Sequence, residues 1–216
     1  MTTSESQQGD PLGAATDTLW LADWRRRVGE IYAEVRRAGD PLRGHALWRE
    51  RRDQLFRSHP QSPLGAADPM RASGLPYWPY DPQLRFSVRL MPAPDARFYE
   101  VPTGEEELTR ICQIGWADLP DPVAGRLAVW RLEQYGGGIF VPFRDGTAGI
   151  GSYGAGRYLL DTAKGADLGL DGGRLVLDFN FSYHPSCRYD SRWQCPLAPA
   201  ESRLDAAIEA GEKLSH

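Results

Sequence analysis

The chain has 216 residues, 41% of them hydrophobic and 25% charged, and a formal net charge of −4 at pH 7. This balance excludes a disordered or fibrous chain, and the acidic charge argues against a polyanion binder held by bulk electrostatics. The mean hydropathy is −0.48, and no apolar run approaches the roughly 20 residues of a membrane-spanning helix.

At this length roughly 70% of the unfolded surface can be buried, so the core needs no disulfide staples. Met1–Thr18 reads MTTSESQQGDPLGAATDT. It has neither the basic start nor the apolar stretch of a secretory signal, and its Gly, Pro, Ser and Thr content predicts a mobile tail. Three cysteines do not make a secreted disulfide framework. A soluble cytoplasmic protein is expected, binding neither nucleic acid nor membrane; its oligomeric state is not legible.

From Leu19 the pattern is helical. Trp20, Trp24, Val28, Ile31 and Val35 share one stripe. Asp17 or Thr18 is the expected N-cap, and Gly39-Asp40-Pro41 ends the run. A second helix is predicted from Leu42 to about Ser58, with Trp48, Leu55 and Phe56 inward and Arg49, Arg51, Arg52 and Asp53 outward. Ten arginines and six acidic residues lie between Trp20 and Arg57, either a solvated pair of helices or a patch for an acidic partner. His59, before Pro60, is expected to end the helix at the negative end of its dipole.

Beyond the helices the texture changes. Three prolines within Gly74–Pro82 forbid a helix there. Short apolar runs then alternate with Gly, Pro and Asp clusters: Leu84–Leu90, Ala96–Val101, Arg110–Trp116, Arg126–Glu133, Ile139–Phe143, Arg157–Asp161 and Arg174–Phe179. The rhythm predicts an antiparallel sheet curled into a barrel or roll. Gly136-Gly137-Gly138 reads as a hairpin turn, since no strand–loop–helix order surrounds it. A short terminal helix is expected from Ala198-Pro199-Ala200-Glu201, with Leu204, Ala207, Ile208 and Leu214 as its stripe. The expected class is therefore α+β: a tail over 1–18, a helical pair over 19–58 and a barrel-like region over 59–216, with 19–216 folding as one unit.

Several motifs carry a resemblance. Phe143-Arg144-Asp145-Gly146-Thr147 with Ser152-Tyr153-Gly154-Ala155-Gly156-Arg157-Tyr158-Leu159 is similar to F-x-D-x-T … T-Y-G-x-G-R-[FY]-L. Leu177-Asp178-Phe179-Asn180 with Tyr183-His184-Pro185-Ser186-Cys187 is similar to L-D-F-N-x-A-Y-N-P-x-C. Cys195-Pro196-Leu197-Ala198-Pro199 through Glu201, Leu204 and Ala210-Gly211-Glu212 is similar to C-P-L-x-P-x-E-N-x-L … A-G-E, and Gly74-Leu75 to Arg85 to an earlier G-L-x-Y-F-P element. Together they resemble domain-of-unknown-function family 1684 of uncharacterised prokaryotic proteins. Ser152, His184 and Ser202 stand where that pattern has Thr, Asn and Asn. The resemblance implies kinship and supplies no activity.

The densest polar cluster comprises Asp145, Thr147, Tyr153, Arg157, Asp178, Asn180 and Tyr183. At a barrel mouth, Arg157 would offer a fork of donors to a small polar or anionic molecule, with Tyr153 and Asn180 orienting it. The alternative is that Arg157 pairs internally with Asp178 or Asp145. His184, Cys187 and Cys195 could supply three ligands to zinc in a metal-assisted hydrolase with an Asp base. The two cysteines could equally form a redox-linked pair or simple packing. Cys112, flanked by Ile111 and Ile114, reads as packing. Tyr77, Trp78, Tyr80, Trp116, Trp130 and Trp193 are pocket walls or core. No cofactor is expected beyond that zinc, no G-x-S-x-G elbow or P-loop is present, and the residues of a reaction are not identified.

Overall fold

The computed structural model describes residues 11–103 and 107–215. The chain opens with α1 (Pro11–Arg37), α2 (Pro41–Ser58) and a single turn, α3 (Met70–Ser73). The tail expected over 1–18 is thus helical from Pro11, a residue with no N–H to lose in a first turn; residues 1–10 lie outside the described residues. The hydroxyls of Thr16 and Thr18 bond back to the carbonyls of Leu12 and Ala14, at 2.8 and 2.9 Å, so neither Asp17 nor Thr18 caps a helix start.

Gly39, at φ +73°, makes the break between the helices. Asp40 then caps α2, accepting from the Arg43 N–H at 2.7 Å with Pro41 at the first helical position. Ile31, Tyr32 and Val35 of α1 meet Trp48, Leu55 and Phe56 of α2 and pack on Leu64, Leu75, Tyr77, Ala166 and Phe181. Trp20, expected on this stripe, is 39% exposed and touches only the edge of it, its ring against His59.

Eight strands follow: β1 (Arg85–Val88), β2 (Leu90–Thr103), β3 (Glu107–Leu119), β4 (Gly125–Leu132), β5 (Ile139–Phe143), β6 (Arg157–Asp161), β7 (Leu170–Asp171) and β8 (Arg174–Asp178). Among the described residues all pairings between these strands are antiparallel. The α+β class therefore holds, but the expected barrel is not closed. Among the described residues the strands form a five-stranded meander, β2-β3-β4-β5-β6, and a separate three-stranded sheet, β1-β8-β7. Pro92, Pro94 and Pro102 deprive β2 of donors and hold it at an edge. At the other edge β6 makes two isolated bridges among the described residues, Tyr158 to Tyr183 and Asp161 to Ala166. Gly136-Gly137-Gly138 lies in the β4–β5 hairpin, as expected, where Leu132 donates to the Gly138 carbonyl at 2.9 Å.

The main core lies between the sheets: Val88, Leu119, Leu127, Val129, Val141, Phe143, Leu159, Leu177 and Phe179, with Leu204, Ile208 and Ala210 from the C-terminal segment. That segment is not the expected helix. It threads along the sheets, exchanging backbone bonds with Arg144 from Ser202 and Leu204, with Ser182 from Glu212 and with Pro76 from Lys213. Isolated helices of about a dozen residues are marginal in water. Burying Leu204 and Ile208 in the core contributes about 2 kcal/mol each, which decides against the local helix.

Candidate functional site

Arg157 begins β6 and is 1% exposed. Its Nη1 donates to the carbonyls of Ala210 and Glu212, and its Nη2 to the carbonyl of Ile208 at 2.8 Å and to Asp145 Oδ2 at 3.4 Å. The Trp78 and Phe143 rings cover the guanidinium, each 5.1 Å from its carbon. Asp145 in turn accepts from the Ile208 N–H at 2.7 Å and from the Thr147 hydroxyl, whose oxygen lies 2.9 Å from the Ser152 hydroxyl. The arginine expected to face an incoming anion instead grips the protein's own C-terminal segment. Gly156, at φ +101°, lets the chain pass: a Cβ there would lie 2.4 Å from the Phe143 carbonyl oxygen.

The other expected ligand residues do not join this group. Asp178 accepts from Arg85 at 3.1 Å and, with Asp81, fixes both ends of the Asn180 amide. Tyr183 packs over Arg52, and the Tyr153 N–H donates to His184 Nε2 at 3.1 Å. Arg52, expected outward, turns inward to Glu212 at 2.9 Å. Glu212 is fully buried and also accepts from the His184 N–H at 2.9 Å and from the Tyr189 hydroxyl. Burial pushes its carboxyl pKa upward, against the pull of Arg52. Asp53, also expected outward, accepts from the Leu75 N–H at 3.0 Å.

The three residues expected to hold zinc are not arranged as a metal centre. Among the described residues no group of three His, Cys, Asp or Glu could hold a metal ion. The Nε2 of His184 is occupied by the Tyr153 N–H and its Nδ1 lies 3.9 Å from Glu212. Cys187 and Cys195 do meet, as free thiols: the Cys187 N–H points at Cys195 Sγ at 3.4 Å. Cys112 is buried as packing, as expected.

Beside the cysteines an open hollow of about 420 Å³ lies where α1, the β4–β5 hairpin and the end of β6 converge. Its walls include Arg25, Gln134, Phe140, Asp161, Lys164 and Gln194. Asp161 is 3% exposed; its Oδ2 lies 3.3 Å from Lys164 Nζ, and its Oδ1 has no hydrogen-bond partner among the described residues. Lys164 also sits over the Tyr158 ring, and the Tyr158 hydroxyl donates to the Pro196 carbonyl at 2.6 Å.

A family described as "Protein of unknown function (DUF1684)" matches residues 71–213, the stretch that holds both sheets and the segment Arg157 grips. The chain belongs to the DUF1684 family. It is 32% identical to an uncharacterized protein of Haloarcula marismortui whose solution NMR structure superposes with a TM-score of 0.53, covering 77% of this chain and 90% of that one. No curated protein matches. No helix among the described residues is long and apolar enough to cross a membrane.

In this DUF1684 protein the sequence reading missed Glu212, Arg52, Asp161 and Lys164. The A-G-E motif named Glu212 but gave no sign of its burial, and no motif marked the others. The buried imidazoles set a pH dependence. Burial first, then Arg157, Arg188 and Arg52, lower the His184 pKa to about 2; Glu212 does not reverse this, being engaged by Arg52. Burial and Arg49 lower His45 to about 4. A histidine unprotonated in the fold but free to protonate when unfolded destabilises the fold as pH drops below 6.5. Raised carboxyls such as Glu212 and Asp178 work in the opposite sense. A comparison that isolates one group is therefore needed. His184→Asn should lose less stability than wild type between pH 7 and pH 5, by about 2 kcal/mol, in urea midpoints at the two pH values. Equal losses would mean that His184 does not titrate with unfolding.

Proposed function

We propose that this DUF1684 protein binds a small polar molecule, anionic at one end, in the hollow bounded by Asp161, Lys164 and Arg25. The class of ligand is the one the polar motifs suggested; the place is different, because both Arg157 Nη groups are engaged within the protein. The observation that carries the reading is Asp161, a buried carboxylate with one oxygen on Lys164 and the other without a donor. An unmet buried acceptor costs about 1–3 kcal/mol, which a donor group on a ligand would offset. Lys164 and the exposed Arg25 supply positive charge at the rim. The volume falls within the range of small-molecule sites.

Ligand-observed NMR with succinate, glutamate and inorganic phosphate tests this. Arg25→Ala, at an exposed position, should keep the wild-type melting temperature, whereas Lys164→Ala, which also removes the ion-pair partner of Asp161, should lower it; each should weaken binding of an anionic probe about tenfold, equivalent to 1.4 kcal/mol. If probes bind both variants as they bind wild type, or none binds wild type at all, the reading fails.

A further inference from the structure

We infer that Cys187 and Cys195 form a peroxide-reactive dithiol that closes reversibly to an intramolecular disulfide. The pair stands on its geometry. Ser186–Arg188 forms a single 3-10 turn, and the chain returns through Asp190 and Trp193 so that Cys195 Sγ comes to rest on the Cys187 N–H at 3.4 Å. Seven residues separate the cysteines in sequence, yet the returning loop sets Cys195 Sγ against Cys187 and neither is held in a disulfide. The two sulfurs also differ in setting. Cys195 is 5% exposed and Cys187 only half-buried. The adjacent Cys187 thiol, Lys164 and the N–H groups of Cys187 and Ser186 draw the Cys195 thiol down toward thiolate, against its burial. The Cys195 sulfur and then burial push Cys187 up. Such a division, one nucleophilic sulfur with a protonated partner in contact, is what a thiolate and its resolving thiol require. Gln194 and Pro196, on either side of Cys195, line the open hollow.

The oxidant is hydrogen peroxide, and the step balances with it. The Cys195 thiolate attacks one peroxide oxygen; an S–O bond forms, the O–O bond breaks, and the departing hydroxide takes up a proton to leave as water. The sulfur, now a sulfenic acid, is attacked by Cys187. The S–S bond forms, the S–O bond breaks, and a second water leaves carrying the Cys187 proton. Two thiols and one peroxide give one disulfide and two waters. An external thiol reverses the closure by exchange.

The test uses the full chain, reduced and then freed of reductant, with one equivalent of hydrogen peroxide. Intact mass should fall by two hydrogens, and peptide mapping should join Cys187 to Cys195 and leave Cys112 free. Cys187→Ser should stop at a protein one oxygen heavier, trapped by dimedone at Cys195. Cys195→Ser should react at least tenfold more slowly than wild type. The wild-type mass and map do not depend on how well the variants fold. A wild-type protein that shows no loss of two hydrogens, a map that joins chains to one another, or a Cys195→Ser variant oxidised at the wild-type rate would each overturn the assignment.

Discussion

Replacing Asp145 by Ala is expected to destabilise the fold by about 3–5 kcal/mol, the cost of leaving a buried charge without its partner. The carboxylate is 2% exposed and binds the Arg157 guanidinium, the Ile208 N–H and the Thr147 hydroxyl together. Its loss strands the guanidinium and uncaps the Ile208 N–H inside the core. Desolvation already lowers the Arg157 pKa, so the site has little tolerance for a further loss of negative potential. Asp145→Asn keeps an acceptor for Ile208 and removes only the charge, so its cost should fall between wild type and Asp145→Ala. Adding Arg157→Met to Asp145→Ala should not restore stability. The arginine also holds the carbonyls of Ile208, Ala210 and Glu212, and removing it leaves those acceptors unmet. Urea unfolding followed by tryptophan fluorescence reads all three. A cost for Asp145→Ala below about 0.5 kcal/mol, the range of ordinary surface changes, would show that the guanidinium escapes to solvent.

Where local chemistry decides the structure, it was readable. Ile139–Phe143 and Arg157–Asp161 are strands with the predicted limits, because each is an apolar run bounded by turn residues and buried on both faces. The second helix likewise begins and ends close to its caps. What failed was everything decided by distant partners. Leu204, Ala207, Ile208 and Leu214 have helical spacing, yet Leu204 and Ile208 are buried by the two sheets, not by a helix neighbour. The sequence leaves Arg157 open between a ligand fork and an internal clamp. Sequence could not choose, because its main partners are backbone carbonyls, which every residue carries and no motif marks. Arg52 was placed outward for its charge; its guanidinium lies 4.4 Å from the centre of the Phe56 ring and 5.0 Å from that of Tyr183, an inward path that only the folded neighbours create. The two cysteines illustrate the same limit from the other side. Their types suggested metal, redox or packing alike, and only the returning loop brings the sulfurs together while leaving His184 with Tyr153 and Glu212.

The second large effect is expected at Glu212. Glu212→Ala removes the partner of Arg52 and the acceptor for the His184 N–H and the Tyr189 hydroxyl, at a cost of about 3–5 kcal/mol. The carboxylate joins three parts of the chain: α2 through Arg52, the strand-like turn at His184 and the C-terminal segment that carries it. Its own N–H donates to Ser182 at 2.8 Å, and Gly211 beside it, at φ +74°, lies so close that a Cβ would meet the Ser182 oxygen at 2.5 Å. The segment is therefore held at this point by charge, backbone bonds and close packing together. A double-mutant cycle separates the first from the rest. If the ion pair is coupled as the geometry requires, Glu212→Gln and Arg52→Met should each destabilise, and the double variant should be more stable than their sum by about 1–3 kcal/mol. Hydrogen exchange supplies the local readout. In Glu212→Gln the amides of Glu212, Lys213 and Leu214, bonded to Ser182, Pro76 and Gly151, should lose protection before those of β5 and β6. Additive costs in the cycle, with uniform loss of protection across the sheets, would mean that Glu212 contributes packing alone and that the C-terminal segment is held by Arg157 without its help.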